Sequence, residues 1–281
     1  MAVPATVEDV SEGARTTEEE LVRRARRRDL QVTWFWRILG YVTVLGLWEY
    51  ASGRWMREQL LPAPTTVLET FGEIWRGGDM PAAFQATLSR IAVGFALSFV
   101  VGLAVGVLMQ NRWLEGFFRD AVLIGITTPG LVWALITAII FGNRTAGPLI
   151  AVVLTTFALI TVNVHEGVKA LPKDLIDMSK AFRVGLVKRN RQIVIPHLAP
   201  YIFTGVRFGF SIAWKIVVLT EVFASSSGIG FELRVAQQLF QLDVFLTWIL
   251  AFYVLALFLE KVVLEQIERR FFRWRREVTA A

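Results

Sequence analysis

Ile91–Met109, Ala121–Phe141 and Thr145–Val164 carry no charged residue, and each is about as long as lipid hydrocarbon is thick. At about 1.5 Å of rise per residue, a helix of roughly twenty residues crosses about 30 Å of hydrocarbon. Leu198–Phe223 is interrupted only by Arg207, Lys215 and Glu221, and Val244–Leu259 is short but uncharged. Trp34–Tyr50 is a sixth candidate, with Arg37 and Glu49 near its ends, where long side chains reach the headgroups. Lipid offers no partner to a backbone N–H, so spans of this length must be helices. With 54% apolar and 19% charged residues and a mean hydropathy of +0.51, a soluble domain of 281 residues is excluded. The expected fold is an all-α membrane protein with about six transmembrane helices.

The cations orient those spans. If the chain starts inside, twenty-one of its thirty Lys and Arg residues fall on the cytoplasmic side. They lie before Trp34, in Asn111–Arg119, in His165–Ala199 and after Glu260. Only Arg54, Arg57, Arg76, Arg144 and Arg234 fall outside, so both termini are expected in the cytoplasm. The basic balance then reflects topology and calls for no nucleic acid. A hydrophilic tail, residues 1–33, shows no signal-peptide pattern and is read as weakly structured or lying on anionic lipid. A transmembrane body of 34–264 and a basic tail of 265–281 complete the division. The chain has no cysteine, which excludes disulfides and thiolate chemistry.

Between the spans, Leu61-Pro62-Ala63-Pro64-Thr65 reads as a turn into a short amphipathic helix carrying Val67, Leu68, Phe71, Ile74 and Trp75. Gly94, Ser98, Gly102 and Gly106 recur every fourth residue, a stripe that lets membrane helices approach closely. Thr127-Thr128-Pro129-Gly130 should kink or unwind the third span near mid-membrane, which makes Pro129 a pathway-lining candidate. Ser225-Ser226-Ser227-Gly228-Ile229-Gly230 reads either as an anion nest or as a plain connection between helices.

The segment Leu171–Pro196 is charged and helix-forming, and it lies between two spans. Pro172 suits a first helical turn, with Asp174 and Asp177 early in the helix; Leu175, Met178 and Phe182 form one apolar stripe among Lys173, Lys180 and Arg183. A second short helix is expected from Lys188 to Val194, ended by Pro196. A loop of about 35 residues that keeps its own helices is unusual inside a compact domain, which favours a docking surface for a partner.

These residues resemble the loop motif of ATP-binding-cassette importer permeases, E-A-A, three residues, G, nine residues, I-x-L-P. It falls on Asp177-Met178-Ser179, Arg183, Ile193, Ile195 and Pro196 with unbroken spacing. Asp replaces Glu, Met and Ser replace the alanines, Arg replaces Gly and Ile replaces Leu, with Gly185 expected to supply the turn. Leu61–Pro64 with Val67, Thr87–Arg90, Pro200–Arg207, Ala213–Lys215 with Glu221, and Ala224–Gly230 are similar to the sulfonate, taurine and nitrate branch of that family. The resemblance implies a multi-pass permease subunit of the bacterial inner membrane. Its implied partners are a second permease copy, cytoplasmic ATPase subunits and an extracytoplasmic solute-binding protein. The implied docking residues are Asp177, Met178, Ser179, Phe182, Arg183 and Gly185. No phosphate-binding G-x-x-x-x-G-K-[ST] loop occurs, so ATP hydrolysis is expected in a separate subunit.

A charge at mid-span costs about 2.5–3.5 kcal/mol on insertion scales, so Arg90, Arg207, Lys215 and Glu221 each need a partner, a cavity or an interface. Arg90 and Arg207 are read as structural. Lys215, beside Trp214, is the candidate for attracting an anion such as a sulfonate, nitrate or bicarbonate; the alternative is an ion pair within the bundle, for example with Glu221 across a dimer. Six residues on one helix put Lys215 and Glu221 on different faces. His165 and His197 have no metal-ligand spacing, and no paired carboxylates or nucleophile arrangement suggest an enzyme. No cofactor is expected. A stand-alone secondary transporter or channel is the second reading, and it predicts flux without an ATPase.

Overall fold

The structure is a computed structural model that describes residues 32–266, except 56, 58, 59, 143 and 144, together with 269. The expected tails, 1–33 and 265–281, fall almost wholly outside the described residues. The chain divides into two compact units at Thr66 and Val67.

In the first unit, α1 runs from 32 to 51. The segment after it folds back onto the helix end: Trp48 Nε1 donates to the Pro62 carbonyl at 3.1 Å and Ser52 Oγ to that of Leu61 at 2.7 Å. Glu49 Oε1 accepts from Thr65 Oγ1 at 2.9 Å, so this carboxylate is held by a polar partner.

The second unit is a bundle centred on α6 (Ala146–Lys169), which packs against α3 (Asp79–Leu108), α4 (Arg112–Thr127), α5 (Gly130–Phe141) and α9 (Ile195–Ala224). The stripe on α3 is what makes this possible. A Cβ added at Gly102 would lie 2.7 Å from that of Ile160, and one at Gly106 equally close to that of Val164. Thr161 Oγ1 donates to the Gly102 carbonyl at 3.2 Å across the same seam. Without a hydrophobic drive in lipid, such close backbone approach supplies the attraction between helices. Helix α2 (Pro64–Gly77) forms where the turn signal places it; its Val67 is buried, and its Phe71 and Ile74 pack against the core that holds Met80 and Trp248.

Asn111 starts α4 by accepting from the Trp113 backbone N–H at 2.9 Å, nine residues before the expected span. Thr128 is extended (ψ 123°), as sterics before proline demand, and α4 and α5 meet at 102°. The expected kink is thus a full break.

Four helical segments are long and apolar enough to cross a membrane, and the bent pair makes up to a fifth. Helix α1 reaches the length but not the same apolarity. Of the six expected spans, four are clear, the kinked one is the broken pair, and α1 falls short of their apolarity.

Pro196 does not end the second short helix. Helix α8 (Leu186–Arg189) runs through a π-helical turn, Asn190–Val194, directly into α9. The wider turn shifts the hydrogen-bond register, with Ile195 N–H reaching the Asn190 carbonyl, and Pro196 then stands in the first turn of α9, where a missing N–H costs little. After α9, α10 (Ile229–Gln238) leads to α11 (Leu242–Leu257), which ends in another π-helical turn, Phe258–Leu264.

Candidate coupling surface and a buried polar node

Helix α7 (Lys173–Ala181) forms the core of the segment expected to dock a partner. Its apolar stripe does not pack on its own bundle: Leu175 and Met178 are exposed, and Phe182, just past the helix, is 77% exposed. Asp177 and Lys180 are exposed too and pair at 3.0 Å. Ser179 is the exception, buried with its Oγ donating to the Ile176 carbonyl at 2.6 Å; it faces inward, away from the surface formed by its neighbours.

The turn after α7 differs from expectation. Arg183, at the motif's glycine position, takes the left-handed conformation (φ 51°), whereas Gly185 is extended. Val184 N–H reaches the Ser179 carbonyl at 2.8 Å and Arg183 N–H that of Lys180 at 2.9 Å, the Schellman pattern. Only the residue following the C-cap can close these bonds, so Gly185, two positions further on, cannot take over.

Beyond that turn Leu186 is exposed, and Val187 is 83% exposed beside Lys188, Arg189 and Arg191. One continuous surface therefore combines apolar side chains with charges of both signs. The segment Leu186–Ala224 has 39 residues, about 58 Å of helix, nearly twice the hydrocarbon thickness. Its α8 end therefore projects beyond the lipid core.

At the other end of α9, three segments singled out in the sequence meet. Glu221 (0% exposed) and Arg90 (6%) form a salt bridge at 2.6 Å between α9 and α3. Arg90 also donates to the Ser227 carbonyl and to its Oγ, both at 2.7 Å. Thr87 Oγ1 donates to Glu221 and accepts from Ile229 N–H at 3.0 Å. Gly230 N–H, in the first turn of α10, donates to Glu221 Oε2 at 3.1 Å. The carboxylate thus serves as an anionic cap at a helix N-terminus, where the dipole favours it. A side chain at Gly228 would strike this carboxylate, and Gly228 also has φ 101°. The loop is consequently a cradle around Glu221, whose carboxylate takes the Gly230 N–H while Thr87 takes that of Ile229.

The pathway candidates do not converge. Glu221 belongs to the node, and its partner is Arg90. Trp214 is buried, its ring tilted 50° from that of Phe252 with centres 5.3 Å apart, and its indole N–H has no hydrogen-bond partner among the described residues. Lys215 is exposed, its Nζ 5.2 Å from the Trp214 ring centre. Pro129 stands at the α4–α5 break, where Gly130 packs on Ile216. Sequence reasoning missed a further contact: Glu115 on α4 receives Lys169 at 3.2 Å and faces buried His165 at 3.4 Å, both on α6. Fifty or more intervening residues hid it; only the i, i+4 spacing of His165 and Lys169 hinted that they share a face. Among the described residues, no group of three or more His, Cys, Asp or Glu could hold a metal ion.

Residues 98–273 match the family model described as binding-protein-dependent transport system inner membrane component. The chain is 24% identical over 261 residues to the putative aliphatic sulfonates transport permease protein SsuC of Bacillus subtilis, covering 92% of this chain and 94% of that one. It is 29% identical over 227 residues to the bicarbonate transport system permease protein CmpB of Synechocystis, covering 73% and 80%. A solved inward-facing structure of the MetNI methionine ABC transporter superposes with a TM-score of 0.54 at 18% identity, over 67% of this chain and 94% of that chain.

Proposed function

The chain belongs to the family of binding-protein-dependent transport system inner membrane components, and on that premise we propose how this permease subunit does its work. It is the membrane part of an ATP-binding-cassette importer and not itself an ATPase. The proposed cargo is a small anion. The named relatives handle aliphatic sulfonates and bicarbonate, whose shared feature is one delocalised negative charge. Nitrate is likewise a small anion, and taurine carries the same sulfonate group beside an ammonium, so both belong in the same test.

Lys215 carries the pathway reading. It is exposed on α9, nine residues before Ala224, about 14 Å below the helix end and so near the bilayer midplane. An ammonium facing lipid there costs about 2.5–3.5 kcal/mol, whereas one facing a water-lined path between two subunits costs far less. We therefore place a second copy of the chain against this face, with Lys215 lending transient attraction to the passing anion. Trp214 fixes the Lys215 stem, and Pro129 turns α4 into α5 beside the same helix.

In the proposed orientation both termini and α7 are cytoplasmic, and α10 is on the outer side, where a solute-binding protein would deliver cargo. Asp177, Met178, Phe182 and Arg183 form the handle for a separate ATPase, with Ser179 bracing it from beneath and Gly185 passing the chain on to α8. Lys215→Ala in vesicles holding the complete transporter should lower anion uptake about tenfold while ATPase binding persists. Full uptake by that variant would remove Lys215 from the path.

A further inference from the structure

A charged pair sealed between α3 and α9 needs a reason, because two well-packed apolar side chains hold helices together at least as well. The bonds it makes supply one. Arg90 spends three contacts on two targets, the Glu221 carboxylate and both oxygens of Ser227, while Glu221 in turn receives Gly230 N–H. Thr87 bridges the same carboxylate to Ile229 N–H. Every polar group in the cluster therefore points at 227–230, the start of α10. Glycines at 228 and 230 let that segment press against Glu221 more closely than any side chain would allow. A single hydrophobic contact would hold α9 to α3 but would leave these backbone groups free to swing.

We infer that Arg90 and Glu221 are positioning residues that latch the start of α10 to α3 and α9, so that these three helices move as one rigid piece. The inference rests on the importer reading for the direction of the motion, since it makes α10 the outer-face element carried by the bundle. When the α7 end is driven, the outer surface is displaced as a block and does not yield locally, so motion imposed at one end of α9 reaches the other. Arg90 and Glu221 do not touch cargo; they transmit.

The chain has no cysteine, so one introduced thiol gives a clean reporter. Ala236, on the buried face of α10, is 2% exposed. In vesicles holding the complete transporter, Ala236→Cys should react slowly with a membrane-impermeant maleimide. Adding Arg90→Ala should raise the labelling rate about a hundredfold, the scale on which removing one member of a buried pair acts. Arg90→Lys should fall between, because one ammonium cannot span all three acceptors. The deciding variant is Arg90→Met with Glu221→Leu, which leaves no unpaired charge. A latch predicts fast labelling and reduced uptake with the ATPase still bound. A pair that only balances charge predicts parent-like labelling and uptake, which would overturn the inference. If Arg90→Ala fails to insert, Thr87→Val, which alters no charge, should raise labelling several-fold; an unchanged rate would count equally against the latch. A parent chain that binds no ATPase would sink the importer reading while leaving the labelling test intact.

Discussion

Arg183 pays a conformational cost to hold the turn that closes α7. A left-handed backbone costs an L-residue roughly 1–2 kcal/mol, which glycine avoids at some entropic loss. Arg183→Gly should therefore stabilise the protein by about 1 kcal/mol, read as a raised thermal midpoint in detergent. Loss of stability would mean that the arginine side chain contributes more than its backbone costs. Gly228→Ala should act oppositely. Its φ of 101° and the adjacent Glu221 carboxylate leave no room for a methyl group, and a loss of about 2 kcal/mol or more is expected. The spacing of the motif identified Arg183 as the position to watch; that an arginine would itself adopt the left-handed form was not visible, because the hydrogen bonds compelling it run to Ser179 and Lys180.

Among the helices, α3 and α4 show how differently glycine serves. Gly102 is pressed against Ile160, so Gly102→Ala should separate α3 from α6 and lower yield and thermal stability. Nothing lies within 4 Å of a Cβ at Gly116, in the first turns of α4, where Gly116→Ala should stabilise by about 0.5–1 kcal/mol. Four-residue spacing made the first legible, since a stripe of small residues has a packing meaning in lipid. Helix α10 adds a pH dependence. Burial, and then the nearby charge of Asp79, push the Glu232 carboxyl above its ordinary range. Because the folded value lies above the unfolded one, ionisation opposes the folded arrangement: the α10 region is firmest at low pH and loosens as pH rises through and beyond the carboxylate range. Glu232→Gln should flatten the dependence of the thermal midpoint on pH and raise it near neutrality; an unaltered profile would assign that dependence to another group. Where periodicity misled was at breaks. Pro196 was a sound stop signal by propensity, but a π-helical turn absorbed it, and the kink expected in the third span became a full break because Thr128 is extended before Pro129.

Across the whole molecule, two regions sit at opposite ends of α9: an exposed surface on α7 and α8, and a sealed node at α10. The spans were legible because lipid imposes length and apolarity on sequence directly. The node was legible only in pieces, with Thr87–Arg90, Glu221 and Ser225–Gly230 each conspicuous; a contact spanning 131 residues leaves no local periodicity to read. On the proposed reading, the permease performs no covalent chemistry and takes its motion from a partner gripping α7. The most direct test is ATP-driven uptake of a labelled alkanesulfonate or bicarbonate in proteoliposomes, with the solute-binding protein present and the ATPase either included or omitted. Uptake only with the ATPase, and its loss with hydrolysis continuing when Phe182→Asp is introduced, is the predicted result. Uptake at full speed by the permease alone would contradict it.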